Sequence, residues 1–243
     1  DLACSIDSDA APGSVCASDL LVAEDLGDAL QRDLCASMEE SCVPLGDVTV
    51  FVDPLDGTRE FVEGRVHNVQ TLVGIAVRGE ARAGAIGIPF APGTSESNGA
   101  VVYALVGAGP PQVHGDRTEP LDPVHGGGVP ADGERPLLVA GDVNDPALSA
   151  AYNAALSDGG RNVLLGGTGQ KCLAVAEGRA DLAIMNFKSS SWDTCAPEAL
   201  VRAAGGDLTD IFGERIVYLP EPVPGTSHLN ACGVIASAAP FVD

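Results

Sequence analysis

The first half of the chain carries runs of β-branched and other apolar residues that predict strands. Four such runs follow one another, at 48–53, 69–79, 81–90 and 99–109. They predict neighbouring strands of one sheet. Apolar residues at helical spacing also indicate a short helix at 28–38, whereas residues 1–20 show no sustained period and predict an irregular lead-in.

The second half alternates between strand and helix patterns. The predicted elements are a strand at 137–141, a helix at 145–159, a strand at 162–166, a helix at 170–178, a strand at 181–186 and a helix at 195–206. Such alternation is typical of an α/β unit. Because residues 110–136 are rich in Pro, Gly and Asp, they predict a surface excursion or a domain boundary. We therefore predict an α+β domain at 1–135 and an α/β domain at 136–243.

Charge restricts the classes of partner. The chain has 243 residues, 45% of them hydrophobic, which suffices for a folded core, and 13 Lys and Arg against 34 Asp and Glu give a formal charge of −21. This charge repels nucleic acid backbones and anionic membranes, so we expect neither a nucleic acid polymer nor a membrane as partner. No apolar run reaches the roughly 18 residues of a membrane span. A small anionic substrate would need a cation in the site, for which a bound metal is the natural candidate.

The cysteines bear on the compartment. There are seven, an odd number, with neither a C-x-x-C pair nor a histidine at zinc-ligand spacing. We interpret them as reduced thiols, each most simply a small buried apolar residue. We expect the cytoplasm or another reducing compartment, and not secretion. The sequence predicts no oligomeric state, and its start at Asp1 is compatible with a processed chain or a fragment.

The string FVDPLDGT at 51–58 concentrates oxygen ligands at the predicted end of a strand. Asp53 closes the strand, and the three-residue spacing lets the carboxylates of Asp53 and Asp56 converge with the Leu55 carbonyl. Three oxygens at one point suit a hard cation. The competing interpretation, strong for an isolated D-x-x-D, is an ordinary Asp-Pro/Asp-Gly turn.

The two residues that follow suit an anion. Gly57 has no side chain and lets the backbone N–H groups of a helix start approach it, while the Thr58 hydroxyl can hold a water. A metal beside an anion-binding turn indicates phosphoester chemistry.

Three further segments carry candidate residues. In SWDTCAPEALVRAAGG, Asp193 is predicted just before a helix that Pro197 opens, where an aspartate is usually an N-cap but can also complete a metal site. In LVAEDLG, Glu24 and Asp25 follow an apolar run and, taken alone, are solvated surface. The turn in LLGGTGQKCL places Lys171 at a helix start; it departs from the P-loop pattern and is equally compatible with a tight βα turn.

Together these strings resemble the inositol monophosphatase superfamily of magnesium-dependent, lithium-sensitive phosphatases. DPLDGTREFVEG and WDTCAPEAL are most similar to the 3'(2'),5'-bisphosphate nucleotidases, and GAIGIPF, GGTGQK, AEGRADL and GGDLTDIFGERIVYL extend the similarity from about Leu21 to the C-terminus. The resemblance implies an αβαβα layered sandwich, sugar-phosphatase-like, in which an α+β half and an α/β half enclose the metal site.

The resemblance also implies roles for individual residues in a site with two or three Mg²⁺ ions. The implied metal ligands are Glu24, Asp53, the Leu55 carbonyl, Asp56 and Asp193. Asp56 and Thr58 are the implied catalytic residues, with Thr58 orienting the attacking water. Substrate contacts are implied for Gly57, Thr58, Gly167, Lys171 and Asp193.

The chain departs from the pattern it resembles in three places. Residues 1–23 lack the family's Thr-x-Ala-Asp stretch upstream of the glutamate motif. The segment at 140–146 carries Asp142, Asn144 and Asp145 where the nucleotidases show a Ser-x-Ser/His cluster. Ser190 and Ser191 replace lysines that often precede the Trp-Asp motif.

Three hypotheses about function follow. The leading one is a Mg²⁺-dependent phosphomonoesterase that removes the 3'-phosphate of adenosine 3',5'-bisphosphate to give AMP and phosphate. The nearest alternative is an inositol polyphosphate 1-phosphatase or inositol monophosphatase activity on the same scaffold. From a different class, the departures suggest a non-catalytic relative that binds a metal or ligand without hydrolysis.

Overall fold

The structure, a computed structural model, describes residues 14–16, 42–90, 99–115, 137–140, 146–157, 161–185, 189–222 and 227–238. The helix predicted at 28–38, the pair Glu24-Asp25 and the segment at 141–145 lie outside these residues.

Antiparallel strands make up the first half. Strands β1 (Ser14–Cys16) and β2 (Cys42–Pro44) pair with each other. The first sheet consists of β3 (Val48–Asp56), β4 (Gln70–Val77), β5 (Glu80–Ile88), β6 (Ala100–Leu105) and β7 (Gln112–Gly115), each paired with the next. Buried and partly buried positions alternate along β4, as expected for a strand with one face on the core.

One prediction about this sheet is wrong. Strand β3 does not end at Asp53 but continues to Asp56, while its partners on β4 move only from Leu72 to Gln70. The extra residue on β3 is a β-bulge, which re-aims side chains at the end of the strand. Within the segment 110–136, predicted as a surface excursion or domain boundary, Gln112–Gly115 are exposed and pair with β6; unsatisfied backbone groups at the β6 edge favour this pairing despite the local composition.

The second sheet is mixed. Its strands are β8 (Leu137–Ala140), β9 (Arg161–Leu164), β10 (Leu182–Met185), β11 (Asp207–Thr209) and β12 (Val234–Ser237), in the spatial order β11-β12-β10-β8-β9. The three strands predicted from the sequence run parallel, whereas β12 is antiparallel to β10 and to β11. The sequence analysis did not predict β11 or β12, which are three and four residues long.

Two of the helices lie between the sheets. The described residues form α1 (Thr58–Val62), α2 (Pro146–Ser157), α3 (Thr168–Ala176) and α4 (Ser191–Ala203). Helices α3 and α4 pack against each other and contact strands of both sheets. One buried cluster shows the arrangement, because Leu72 and Ile86 of the first sheet pack with Leu173 of α3 and Leu200 of α4. The division into two domains at residue 135 stays a prediction.

Helix α4 begins earlier than predicted. It starts at Ser191 rather than at 195, so Pro197 lies inside the helix instead of opening it. An interior proline removes one backbone hydrogen bond and costs roughly 3 kcal/mol. The burial of Ala196, Leu200 and Val201 against the sheets outweighs this local cost.

A pair of glycines lets α4 lie directly on the first sheet. Gly74 of β4 and Gly84 of β5 oppose each other in the register. A Cβ at Gly84 would collide with the Ala196 carbonyl, and one at Gly74 would lie 2.7 Å from the Cβ of Cys195. Glycine within a strand commonly marks such a close backbone approach. The contact fixes the height of α4, and therefore of Asp193, above the sheet.

Among the helices of the described segments, none is both long and apolar enough to cross a lipid bilayer.

Candidate metal-binding active site

Three carboxylates converge where the bulged end of β3 meets the first turn of α4. Ligand oxygens of Asp53, Asp56 and Asp193 all lie within 4.8 Å of one another. Asp56 is buried, whereas Asp53 and Asp193 are partly buried and remain accessible to a ligand. Residues 53 and 56 are neighbours in the sequence, but Asp193 reaches them only because α4 packs on the first sheet.

Asp56 is held by the start of helix α3. Its carboxylate accepts hydrogen bonds from the Thr168 N–H at 3.1 Å and the Gly169 N–H at 2.7 Å. Burial raises the pKa of Asp56, while these two bonds and nearby Lys171 act in the opposite direction. A carboxylate at a helix N-terminus is favoured by the unsatisfied N–H groups and by the helix dipole. The predicted ligand is thus also the anion that anchors the glycine-rich turn.

Asp193 serves helix α4 and the carboxylate cluster together. It is not the N-cap that the sequence suggested, because that position belongs to Ser190; Asp193 is the third residue of the helix. In the resulting capping box, the Ser190 N–H donates to Asp193 Oδ2 at 2.6 Å. Burial, with the neighbouring Asp53 and Asp56, raises the pKa of Asp193 to about 7. Three carboxylates this close repel one another unless a cation or protons compensate.

The Gly57-Thr58 turn follows the bulge. Gly57 has φ of 79°, and a Cβ there would lie 2.8 Å from the Asn68 carbonyl oxygen, so both conformation and space favour glycine. The Thr58 hydroxyl donates to the Leu55 carbonyl at 3.1 Å, and the Leu55 N–H donates to Asp53 Oδ1 at 2.9 Å. The turn thereby ties the hydroxyl predicted to hold water to the carbonyl predicted to bind metal.

Lys171 lies on the buried side of the glycine-rich turn. The side chain is buried, and its ammonium donates to the Gly167 carbonyl at 3.0 Å. Burial lowers the pKa of Lys171, while the nearby Asp56 carboxylate raises it. Gly167 adopts φ of 71°, and a Cβ there would lie 3.0 Å from both the Asn68 carbonyl oxygen and Asp56 Oδ2. Lys171 therefore supports the turn and places positive charge behind Asp56.

The donor set fits magnesium. Carboxylate oxygens and a nearby backbone carbonyl are hard ligands, which Mg²⁺ prefers to nitrogen or sulfur. Burial raises the pKa values of Asp56 and Asp193, because it disfavours the charged form of each carboxyl group. A divalent cation would stabilise the charged forms. Glu24, the remaining implied ligand, lies outside the described residues.

The sequence analysis missed one group beside these turns. Glu60 is 7% exposed and receives two hydrogen bonds from Arg65 and one from Asn68. Glutamate is rarely buried unless it is paired, and the spacing of five between Glu60 and Arg65 is not a helical contact distance. The one available signal was the alternation of acidic and basic residues in TREFVEGR directly after the phosphate-type turn.

Comparison with solved structures identifies the fold as that of a sugar-phosphatase-like layered sandwich. CysQ from Bacteroides thetaiotaomicron, described as a bacterial member of the inositol monophosphatase family, aligns with a TM-score of 0.59 at 22% identity, covering 79% of this chain and 70% of that one. The predicted layered class of α+β and α/β elements is confirmed. At 22% identity this likeness shows the fold alone.

Sequence comparison gives the family. The profile described as "Inositol monophosphatase family" matches residues 17–241. The chain is 36% identical over 190 residues to 3'(2'),5'-bisphosphate nucleotidase 1 of Dictyostelium discoideum, and 31% identical over 236 residues to the Mus musculus protein of the same name. These alignments cover 74% and 95% of the chain but only 57% and 70% of the relatives. The chain belongs to the inositol monophosphatase family.

Proposed function

We propose that this chain is a Mg²⁺-dependent phosphomonoesterase that removes the 3'-phosphate of adenosine 3',5'-bisphosphate to give AMP and phosphate. The convergence of Asp53, Asp56 and Asp193 beside the Gly57-Thr58 turn carries the proposal. The similarity to two 3'(2'),5'-bisphosphate nucleotidases favours this substrate over others of the same chemical class.

In this proposal the three aspartates and the Leu55 carbonyl hold two or three Mg²⁺ ions, together with Glu24. Bound magnesium supplies water of lowered pKa and neutralises charge on the phosphate and on the leaving oxygen. Asp56 contributes a ligand whose orientation is fixed by the N–H groups of Thr168 and Gly169. Fixed orientation matters because charge stabilisation is most effective when it needs no reorganisation during the reaction.

The remaining implied residues bind and orient the substrate. In this proposal the Thr58 hydroxyl, which donates to the Leu55 carbonyl, orients the attacking water. In this proposal Gly57 and Gly167 contact the phosphate through backbone groups, while the side of each glycine on which a Cβ would project faces the Asn68 carbonyl oxygen. Lys171 adds positive charge behind Asp56, which favours an anionic substrate in a protein of formal charge −21.

For the compartment, we propose the cytoplasm or another reducing environment. The thiols of Cys172 and Cys195 are buried and unpaired, as expected for cysteines that serve as small apolar residues.

Phosphate release from adenosine 3',5'-bisphosphate, with and without Mg²⁺, tests the function. The informative variant is Asp193→Asn, because asparagine can still accept the capping bond from Ser190 but loses the charge. We expect its loss of Mg²⁺ affinity to exceed the roughly 10–100-fold typical of groups one contact away from a metal. Asp47→Asn is the matched control, since Asp47 forms an exposed ion pair with Arg78 at 2.7 Å.

The same assay separates the alternatives. Mg²⁺-dependent release from inositol phosphates, with none from the nucleotide, would replace the proposed substrate by an inositol phosphate. Mg²⁺ binding without release from either ester would identify a non-catalytic relative. Equal turnover by Asp193→Asn and the unmodified protein would contradict the proposed site.

A further inference from the structure

The two turns of the candidate site meet at one backbone carbonyl. The Asn68 carbonyl oxygen lies where a Cβ would project from Gly57, at 2.8 Å, and from Gly167, at 3.0 Å. Both glycines have positive φ, so each turn presents its bare α-carbon to the same residue. Asn68 itself is buried at 4% exposure, which leaves it little freedom to move. Its position therefore sets the distance between the two turns.

Glu60 holds Asn68 and the glycine-rich turn together. The Asn68 side-chain amide donates to Glu60 Oε2 at 3.0 Å. The same carboxyl group fills the space that a Cβ at Gly166 would occupy. One carboxylate thus contacts both the residue between the turns and the residue that precedes Gly167.

Arg65 fixes the orientation of the Glu60 carboxylate. Its Nε donates to Glu60 Oε2 at 2.6 Å and its Nη2 donates to Oε1 at 2.9 Å, a two-pronged ion pair. Such bidentate pairs add geometric specificity to charge compensation. The hydrogen bonds from Arg65 lower the pKa of Glu60, which keeps the carboxylate ionised at neutral pH.

The contact of Glu60 with Gly166 affects the orientation of the Asp56 carboxylate through the glycine-rich turn. The Thr168 and Gly169 N–H groups that orient the Asp56 carboxylate follow Gly166 by two and three residues. A shift of the turn away from Glu60 would lengthen those two bonds and release Asp56.

We propose that Glu60, fixed by Arg65 and Asn68, is a positioning residue that holds the 166–169 turn against the Asp56 carboxylate and so prepares Asp56 for the metal. The inference rests on the proposed function for its metal-binding consequence. Its structural part, that Glu60 holds the turn, is independent of any reaction.

Glu60→Gln tests the proposal against Glu63→Gln. Both variants remove one negative charge from the same short stretch, but Glu63 is exposed and forms its ion pairs with Arg59 and Arg65. We expect Glu60→Gln to lower Mg²⁺ affinity, measured by calorimetry, by roughly 10–100-fold, the range typical of residues that orient a ligand. Glu63→Gln should stay within about twofold of the unmodified protein.

Hydrogen exchange in metal-free protein gives a second readout that does not depend on activity. We expect peptides spanning 165–173 to exchange faster in Glu60→Gln than in Glu63→Gln, because the Thr168 and Gly169 N–H groups lose their fixed acceptor. Unchanged exchange and unchanged Mg²⁺ affinity in Glu60→Gln would overturn the proposal. An unmodified protein that binds no Mg²⁺ would instead overturn the proposed function, while the exchange comparison would still decide the role of Glu60.

Arg65→Gln keeps the proposal testable if Glu60→Gln does not fold. The Arg65 side chain is 45% exposed, and its replacement leaves the bond from Asn68 to Glu60 in place. We expect lower Mg²⁺ affinity and faster exchange of peptides spanning 165–173, each by a smaller factor than in Glu60→Gln. Exchange and Mg²⁺ affinity equal to those of the unmodified protein would again overturn the proposal.

Discussion

At the scale of single residues, Glu198 shows how burial changes the chemistry of a carboxyl group outside the site. It lies on α4 at 3% exposure, accepts a hydrogen bond from the Tyr218 hydroxyl at 2.7 Å and pairs with Arg202 at 3.5 Å. Burial nevertheless raises the pKa of Glu198 to about 7, against an ordinary value of 4.5. Between these two values the folded protein retains a proton that the unfolded chain releases.

Folding stability should therefore fall as the pH rises through this window. Between about pH 5 and pH 8 the Glu198 contribution amounts to a loss on the order of 3 kcal/mol. In Glu198→Gln the amide oxygen can still accept the Tyr218 bond but does not titrate, so the stability curve should be flatter. Denaturant unfolding across this pH range measures the difference.

Glu80→Gln is the control for this pH dependence, because Glu80 is exposed at the start of β5. It should leave the slope of the curve unchanged. Parallel curves for Glu198→Gln and the unmodified protein would show that Glu198 titrates alike in the folded and unfolded states.

At the scale of single residues, the sequence predicted which residues supply the site's oxygen ligands better than it predicted which groups contact one another. Asp53 and Asp56 could be paired from their spacing because three residues of backbone already hold them close. Asp193 joined them only through the resemblance to a family. Spacing could not show that Asp56 also binds N–H groups 112 and 113 positions away, since that contact depends on how α3 packs.

At the scale of secondary-structure elements, the seating of α4 on the first sheet decides where Asp193 lies. The helix packs on β4 and β5 at Gly74 and Gly84, where its backbone occupies the space that a side chain would fill at any residue other than glycine. Glycine in a strand is otherwise unfavourable, so this pair marks a packing requirement.

Gly84→Ala should push α4 away from the sheet. Its Cβ would lie 2.8 Å from the Ala196 Cα, and overpacking of this kind costs about 1–3 kcal/mol. We expect the melting temperature to fall by roughly 2–4 °C for each kcal/mol. Mg²⁺ affinity should fall with it, because Asp193 moves with the helix.

Gly87→Ala on the same strand is the matched control for this substitution. Among the residues that the structure describes, a Cβ there would meet only Thr71 atoms, at 3.6 and 3.7 Å, which is ordinary contact. Calorimetric melting of the two variants provides the comparison. Equal melting temperatures would show that the contact between α4 and the sheet accommodates a methyl group at residue 84 without strain.

At the scale of the whole molecule, net charge opposes folding. A formal charge of −21 gives self-repulsion that is spread over the surface and concentrated at the three converging aspartates. Monovalent salt screens the first contribution, since the Debye length is about 8 Å at 0.15 M. The repulsion among the three aspartates is relieved by a cation bound at the site.

NaCl should therefore raise the melting temperature of the metal-free protein, and Mg²⁺ at matched ionic strength should raise it further. A ligand at a hundred times its dissociation constant adds about 2.7 kcal/mol to the free energy of unfolding. Asp193→Asn should keep the response to NaCl and lose the additional response to Mg²⁺. An equal Mg²⁺ response in that variant would place the stabilising ion elsewhere.

The sequence by itself determined the local parts of this protein. Runs of β-branched and other apolar residues defined most strands, and the string around Asp53 carried enough local chemistry to indicate a metal site beside an anion-binding turn. These features depend on residues within a few positions of one another, where backbone geometry limits the possible contacts.

Only the tertiary structure decided which distant groups meet. It started α4 at Ser191, extended β3 through a bulge to Asp56, paired β7 with β6 and buried Glu60 against the glycine-rich turn. The physical reason is common to all four. Each depends on the burial of surface or on hydrogen bonds to segments remote in the chain, which no local pattern encodes.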